Sequence, residues 1–380
     1  MIYFDNAATG GRKPETILTA ISSAVKVCAN AGRSGHKLSL SCAKLVYDTR
    51  ETLNEFFDGY GADRVVFTKN CTEALNIALF GVLRQGDHVI ASQMEHNSVL
   101  RPLEKMRKEG KIEYDLCPLR KKENGEVNID ENALLSLLKP NTRLIAITSA
   151  SNVTGTIPDL VRILKILPKN ILFLCDGAQG AGHFEIKMQE AGIDLLTVAG
   201  HKGMFAIQGS GALLFSERVN PEPLLFGGTG SVSVSLEQPD FYPDALESGT
   251  LSFPAILSLL EGTRYLQFHQ KEIGKKLHTL TEYLLDGLQD LDGYETFSIP
   301  NPCGIVAIRH NVLQSEQLAE ILSRKYSIAT RGGLHCAPTM HEALHTLDGG
   351  LLRISFSHYN TKNEIEFLLN ALQKIPLFPV

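Results

Sequence analysis

Residues 171–203 read ILFLCDGAQGAGHFEIKMQEAGIDLLTVAGHKG. Two short apolar runs stand out, Ile171–Cys175 and Asp194–Val198, and each ends abruptly in a polar, glycine-bearing cluster. The first runs into Asp176-Gly177-Ala178-Gln179, the second into Ala199-Gly200-His201-Lys202-Gly203. Runs of this length without polar alternation suit strands covered on both faces, the habit of a parallel sheet flanked by helices. The same unit recurs outward along the chain. Candidate strands are Arg64–Thr68, His88–Ser92, Lys111–Leu116, Arg143–Thr148 and Gly211–Phe215. Helical patterns fall between them at Thr72–Leu83, Ser98–Lys108, Asp130–Leu138 and Asp159–Leu167. No single run decides the assignment, but the alternation predicts an α/β protein with a mostly parallel sheet. After Pro254 the pattern changes to a long helix over Ile256–Leu291. Strands near Gly304–Arg309 and Leu351–Ser355 and helices near Ser315–Tyr326 and Thr361–Lys374 follow. This predicts a large unit over 15–255 and a smaller α+β unit over 256–380, with residues 1–14 packing alongside the latter.

In open α/β sheets ligands sit at the carboxyl ends of the strands. Three more strand ends carry clusters: Lys69-Asn70-Cys71-Thr72-Glu73, Gln93-Met94-Glu95-His96-Asn97 and Ser149-Ala150-Ser151-Asn152-Val153-Thr154-Gly155. Such clusters in series suggest one ligand touched from many strands. Lys202, next to a buried strand, is a candidate for a lowered pKa and Schiff-base chemistry. Asp176 closes an apolar run, where a carboxylate is costly unless it meets a cation. A lysine Schiff base with an acid facing a pyridinium nitrogen is the arrangement that holds pyridoxal 5'-phosphate (PLP). Thr72 opens a helix, whose N–H groups and dipole favour a phosphate, and His96 can stack on a ring. Each residue has a plain structural reading as well: Asp176 as a cap, Cys71-Thr72 as a helix start, His96 as a satisfied polar side chain.

Composition narrows the classes. The 380 residues are 43% apolar and 21% charged, with net charge −5 and no Trp, so no basic or stacking surface points to nucleic acid. No apolar run reaches the length of a membrane span and nothing at the start resembles a signal peptide. The seven cysteines form no C-x-x-C pair, which argues against a disulfide framework or a zinc knuckle and predicts at least one free thiol in a reducing, cytoplasmic setting. Two decoys deserve weighing. His341-Glu342-Ala343-Leu344-His345 fits the zinc-protease pattern H-E-x-x-H, but Gly349-Gly350 soon end any helix and no third ligand stands out, so no metal is expected. The loop 177–182, GAQGAG, faintly echoes a dinucleotide fingerprint, and a PLP role explains its glycines better.

The segments FDNAAT (4–9), TEALN (72–76), EH (95–96), SNVTG (151–155), DGAQ (176–179), GHKG (200–203), SGTL (248–251) and RGGLHCAP (331–338) together resemble the cysteine desulfurase family. That family belongs to the class V aminotransferases of the PLP-dependent aspartate-aminotransferase fold (type I). The resemblance implies that Lys202 carries PLP and shuttles protons and that Asp176 pairs with the ring nitrogen. Gln179 and Asn152 would contact the ring oxygen or substrate, and His96 would stack and act as acid/base. Cys71, Thr72 and His201 would bind the phosphate. Thr250 would reach the phosphate of the neighbouring subunit in a homodimer. Asn6, Ala7, Asn152, Arg331 and Arg353 would contact the substrate, Arg353 gripping its carboxylate as a bidentate fork. Cys336 would attack the sulfur of L-cysteine, leaving L-alanine and a persulfide for a sulfur-acceptor protein. His335 is either a neighbour that lowers the thiol pKa or merely a loop residue. The short loop 331–338 resembles that of the group with a compact cysteine loop. The chain departs from the family at Ala199, where relatives often carry a hydroxyl, and over Met204–Gly209, so phosphate binding would lean on other donors such as Thr229. Alternatives are a selenocysteine lyase, another C–S lyase, a class V aminotransferase, a sulfur-carrier scaffold or a zinc hydrolase.

Overall fold

The computed structural model describes residues 1–27, 29–31, 34–123 and 125–375. Cys28, one of the seven cysteines, lies outside them. Seven strands form the central sheet in the order Val65–Thr68, Gly211–Phe215, Leu195–Ala199, Leu172–Asp176, Thr142–Thr148, Asp87–Ser92, Ile112–Cys117. Gly211–Phe215 runs antiparallel to both neighbours and the other pairings between central strands are parallel. Alternate residues of one strand feed two cores. Leu144 and Ala146 pack on one face, Ile145 and Ile147 on the other, and Leu174 and Cys175 divide in the same way. Burial on both faces is why the strands read as continuous apolar runs.

The parallel register determines where chemistry can gather. Thr148 pairs with Asp176, and Asp176 with Thr197, so neighbouring strands end level with one another. The segments that follow Thr68, Ser92, Thr148, Asp176 and Ala199 therefore leave the sheet along one edge. Two of them start helices immediately, Cys71–Val82 and Asn97–Lys108.

The long helix spans Phe253–Gln289, with Pro254 in its first turn, where a missing N–H costs nothing. Beyond it an antiparallel sheet orders Tyr294–Thr296, Ile305–His310 and Leu352–Ser355. The N-terminal strand Ile2–Tyr3 pairs in parallel with Ile328–Ala329, which brings residues 4–9 over the edge of the central sheet.

Helices Glu15–Val27 and Lys37–Phe56, both packed on the long helix, had no clear counterpart in the sequence. The second hides its inward stripe because that stripe is mixed: Ser39, Cys42, Val46, Thr49, Arg50 and Leu53 are its buried residues. Arg50 is tolerated inside because Glu247 meets it in a two-pronged ion pair, with Nη1–Oε1 at 2.8 Å and Nη2–Oε2 at 2.5 Å. Arg50 also donates to the Val65 carbonyl and Glu247 accepts from the Phe67 N–H, so the pair fastens the helix to the edge strand. Glu247→Ala would leave the guanidinium buried and unpaired. The expected loss is about 3–5 kcal/mol, read as a lower urea midpoint at unchanged slope.

Candidate active site

Eight residues singled out in the sequence line one cavity of about 190 Å³: Cys71, Thr72, His96, Asn152, Asp176, Gln179, His201 and Lys202. Asp176 ends its strand with 3% of its surface exposed. Its Oδ1 accepts from the Ala178 N–H at 2.9 Å and the Cys71 thiol at 3.4 Å, and no cation among the described residues forms an ion pair with it. No helix starts directly after Asp176, so the carboxylate braces a turn rather than capping a helix. Lys202 lines the same cavity but forms no ion pair with the carboxylate, so the buried acid fits a ligand that brings its own cation, such as a protonated ring nitrogen.

Lys202 is half-buried, and its ammonium makes no hydrogen bond or ion pair among the described residues. Burial lowers its pKa, and the positive charges of Arg353 and Arg331 lower it further, against the opposing pull of Asp176 and Cys71. The lowered pKa eases loss of the proton that a lysine must shed to act as an amine nucleophile.

The helix Cys71–Val82 starts at this cavity. Asn70 caps it by accepting from the Glu73 N–H at 2.9 Å, which leaves the N–H groups of Cys71 and Thr72 pointing onward without partners among the described residues. Those two donors at a helix start fit a phosphate. The Cys71 side chain turns the other way, toward Asp176 and the Thr197 hydroxyl at 3.3 Å, and burial raises its pKa well above the usual thiol value. At Cys71 it is thus the backbone N–H, not the thiol, that is free to meet an anion. Thr72 shares a hydrogen bond with Ser98 at 2.8 Å. His201 holds Thr9 through Nδ1 at 3.1 Å, and burial lowers its pKa to about 4, so it is neutral at pH 7. Thr229, the substitute donor expected for Ala199, lines a different cavity beside Arg50 and Glu247.

His96 caps the helix Asn97–Lys108, its Nδ1 accepting from the Ser98 N–H at 3.0 Å. That places the ring in the cavity with Nε2 protonated, and burial with the nearby Lys202 charge holds its pKa at about 4. Asn152 Nδ2 donates to the His335 carbonyl at 2.7 Å, and Gln179 Nε2 to the Ala7 carbonyl at 3.0 Å, while Gln179 Oε1 is buried without a partner. Both amides thus brace neighbouring segments as well as facing the cavity. Ala7 is buried, and its N–H donates to the Ser355 hydroxyl at 2.9 Å. Asn6 lines a small adjoining cavity of about 20 Å³ with Lys202, and its Nδ2 donates to the Ser355 carbonyl at 3.0 Å.

Arg353 is 1% exposed and paired with Asp5 at 3.0 Å, while Nη1 donates to the Asn152 carbonyl at 3.0 Å and Nε has no partner. Arg331 joins it through reciprocal backbone bonds, and its guanidinium makes no ion pair among the described residues. Thr250 stands apart, in a cavity with Lys69 and Ser248. Cys336 is exposed, at the turn after His335. The expectation that His335 lowers its pKa is overturned. The imidazole is 3% exposed, Nε2 lies 3.0 Å from the Leu351 carbonyl, and burial with the Arg353 charge drives its pKa to about 2, so it carries no charge to stabilise a thiolate.

Asp5 and Glu95 were missed as site residues. Asp5 sits in the FDNAAT segment, but nothing in a sequence says which arginine it meets. Glu95 is fully buried, and burial raises its pKa to about 8 despite hydrogen bonds from Ser92 Oγ at 2.6 Å and the Thr148 N–H at 2.8 Å. It ties two strand ends together behind Asp176. The H-E-x-x-H pattern also resolves. The helix covers only Pro338–Ala343, His341 is buried against Thr346 and His345 is exposed beyond the helix end, so the two imidazoles share no helical face.

The sequence model of the family described as aminotransferase class-V matches residues 2–368. A protein of Methanothermobacter thermautotrophicus named "Probable cysteine desulfurase" is 33% identical, over 98% of this chain and 94% of its own. The apo structure of a cysteine desulfurase from Thermococcus onnurineus superposes with a TM-score of 0.90 at 28% identity, covering 98% of this chain and 94% of that one. The crystal structure of the Escherichia coli cysteine desulfurase CsdA, in an S-sulfonic acid form, gives a TM-score of 0.87 at 27% identity, over 98% and 94% of the two chains. With the lysine, the buried acid and the helix start gathered at one sheet edge, the chain belongs to the class-V aminotransferases, in the cysteine desulfurase family.

Proposed function

We propose that this protein is a PLP-dependent cysteine desulfurase: L-cysteine gives L-alanine, and the sulfur passes to Cys336 as a persulfide. The observation that carries the reading is Lys202 and a buried Asp176 without an ion-pair partner in one cavity, beside an exposed thiol whose loop is anchored to that cavity's wall. Asp176 would hold the ring nitrogen, Cys71 and Thr72 N–H groups with His201 the phosphate, and His96 the ring face. When bound, the cofactor supplies an electron sink for charge developing on the substrate carbons.

The residues divide the remaining work. Arg353 and Arg331 offer guanidinium groups to the substrate carboxylate. Lys202 Nζ takes the Cα proton and later returns a proton. Cys336 Sγ, as thiolate, attacks the substrate sulfur. An S–S bond forms, the Cβ–S bond breaks, and its electron pair stays on Cβ, which takes up a proton and becomes the methyl group of alanine. Atoms balance without an external oxidant.

The assembly is a homodimer in this reading, with Thr250 serving the partner's phosphate. Support comes from Phe226, Val234 and Leu236 at 75%, 100% and 105% exposure on the same loop region, an apolar surface that a second copy would cover. The division into 15–255 and 256–380 with 1–14 belongs to the same proposal, supported by the pairing of Ile2–Tyr3 with Ile328–Ala329. A cytoplasmic site of action and a sulfur-acceptor protein complete it. Among the described residues no helix is long and apolar enough to cross a membrane.

The test is a substrate comparison on the holoenzyme. Alanine with equimolar sulfide from L-cysteine under reductant is expected. Turnover confined to selenocysteine, or amino transfer to a keto acid without sulfide, would replace the reading with a lyase or an aminotransferase.

A further inference from the structure

The strands Asp87–Ser92 and Thr142–Thr148 lie side by side, yet the chain leaves them in opposite directions. Asp87–Ser92 leads through the helix Asn97–Lys108 to the edge strand Ile112–Cys117, whereas Thr142–Thr148 leads to Leu172–Asp176 on the far side. Such a reversal opens a crevice at the strand ends. The pairing shows where it opens. The two strands stay in register only as far as Ala91 and Ala146. Each then follows its other neighbour: Ser92 pairs with Cys117 and Thr148 with Asp176. The next residues lean the same way, the Gln93 N–H donating to the Cys117 carbonyl at 3.1 Å and the Ser149 N–H to the Asp176 carbonyl at 2.9 Å. The cavity inherits its two walls from this split, with His96 and Ser98 on one side and Thr148, Asn152 and Asp176 on the other.

Glu95 reaches across the split with its side chain, which is 0% exposed. Its Oε1 accepts from the Ser92 hydroxyl at 2.6 Å and from the Thr148 N–H at 2.8 Å, one donor from each strand end. Without it the buried Thr148 N–H would face the gap where the ladder has stopped, and an amide buried without an acceptor is costly. The Ser92 hydroxyl is itself fixed, accepting from the Met94 N–H at 3.1 Å. Glu95 Oε2 has no partner, and no cation among the described residues meets the carboxyl. A side chain so enclosed is held uncharged. Burial, reinforced by the negative charge of Asp176, accordingly raises its pKa to about 8 despite the two bonds. Its work is done by length and one acceptor atom rather than by charge.

We propose that Glu95 is a positioning residue for the cofactor cavity: its Oε1 ties the segment carrying His96 to the segment carrying Asn152 and so fixes the distance between the two walls. The proposal rests on the cavity being the cofactor site of the reading above. Glu95 does not line the cavity itself, so it acts through its neighbours.

The test compares Glu95→Gln, Glu95→Asp and Glu95→Ala. Gln keeps the length and the acceptor and gives up the acid. Asp keeps the acid and is one methylene too short to reach both donors. The readouts are amide hydrogen exchange at Thr148, the rate of PLP loss from the diluted holoenzyme, kcat for L-cysteine and melting temperature. For Gln all of them are expected to stay within about threefold of wild type, with little change in melting temperature. For Asp and Ala the Thr148 amide should exchange about tenfold faster or more, PLP should leave at least about tenfold faster, and kcat should fall by a similar factor. The reverse order, Asp like wild type and Gln like Ala, would show that the carboxyl acts by charge and would overturn the proposal. Faster exchange at Thr148 with wild-type PLP retention and kcat would overturn it as well, leaving a role in folding alone. So would equal losses in all three variants that track melting temperature. A wild-type enzyme that holds PLP but releases no sulfide from L-cysteine would instead refute the desulfurase reading, and exchange and PLP loss would still decide the role of Glu95.

Discussion

Cys336→Ala is expected to lower sulfide release from L-cysteine by about three orders of magnitude or more while leaving cofactor absorption and folding intact. The size of the effect follows from the absence of a substitute. Among the described free cysteines Cys336 is exposed, whereas Cys42, Cys71, Cys117, Cys175 and Cys303 are buried. Burial raises the thiols of Cys71, Cys175 and Cys303 well above their usual value and that of Cys117 to about 12. None of these can present a thiolate to a substrate sulfur. Alanine keeps the Cβ of cysteine, so the turn at φ 58° meets the same backbone cost in both proteins. Sulfide and alanine assays on the two enzymes, with reductant present, measure the loss.

Lys202→Ala is expected to be as severe and to fail at an earlier stage. The ammonium faces Asp176 across a cavity with no other lysine in its lining. In the proposed reading its removal deletes both the covalent anchor of the cofactor and the base that handles the Cα proton. Borohydride treatment should tether cofactor to the wild-type chain and not to the variant, and alanine formation should fall by at least about a thousandfold. Lys202→Arg separates charge from nucleophilicity. It keeps a cation near Asp176 yet cannot be a neutral amine, so its activity should match that of Lys202→Ala.

The central sheet was legible because its strands are buried on both faces, so each reads as an unbroken apolar run with the polar cluster at its end. The parallel register then explains why residues as distant as Cys71, His96, Asn152, Asp176 and Lys202 converge: the strands end level. Helix Lys37–Phe56 was illegible for the converse reason. Its inward face carries Arg50, and an arginine reads as exposed until Glu247, almost two hundred residues away, is seen beside it. The same blindness applied to Arg353, whose Asp5 partner comes from the N-terminal segment. Side-chain direction was the other gap. Cys71 lines the cavity with the other candidates, but its thiol turns back to Asp176. His335 was correctly placed next to Cys336, but its ring turns inward, away from any role as a thiolate partner. Residue type and spacing indicate which segments meet, whereas only packing decides which atom faces the ligand.

The most direct test is a peptide mass measurement on the holoenzyme after L-cysteine is added without reductant. The predicted result is the gain of one sulfur atom on the peptide bearing Cys336, matched mole for mole by alanine. Alanine formed with no added sulfur on that peptide, or with the sulfur on another cysteine, would contradict it.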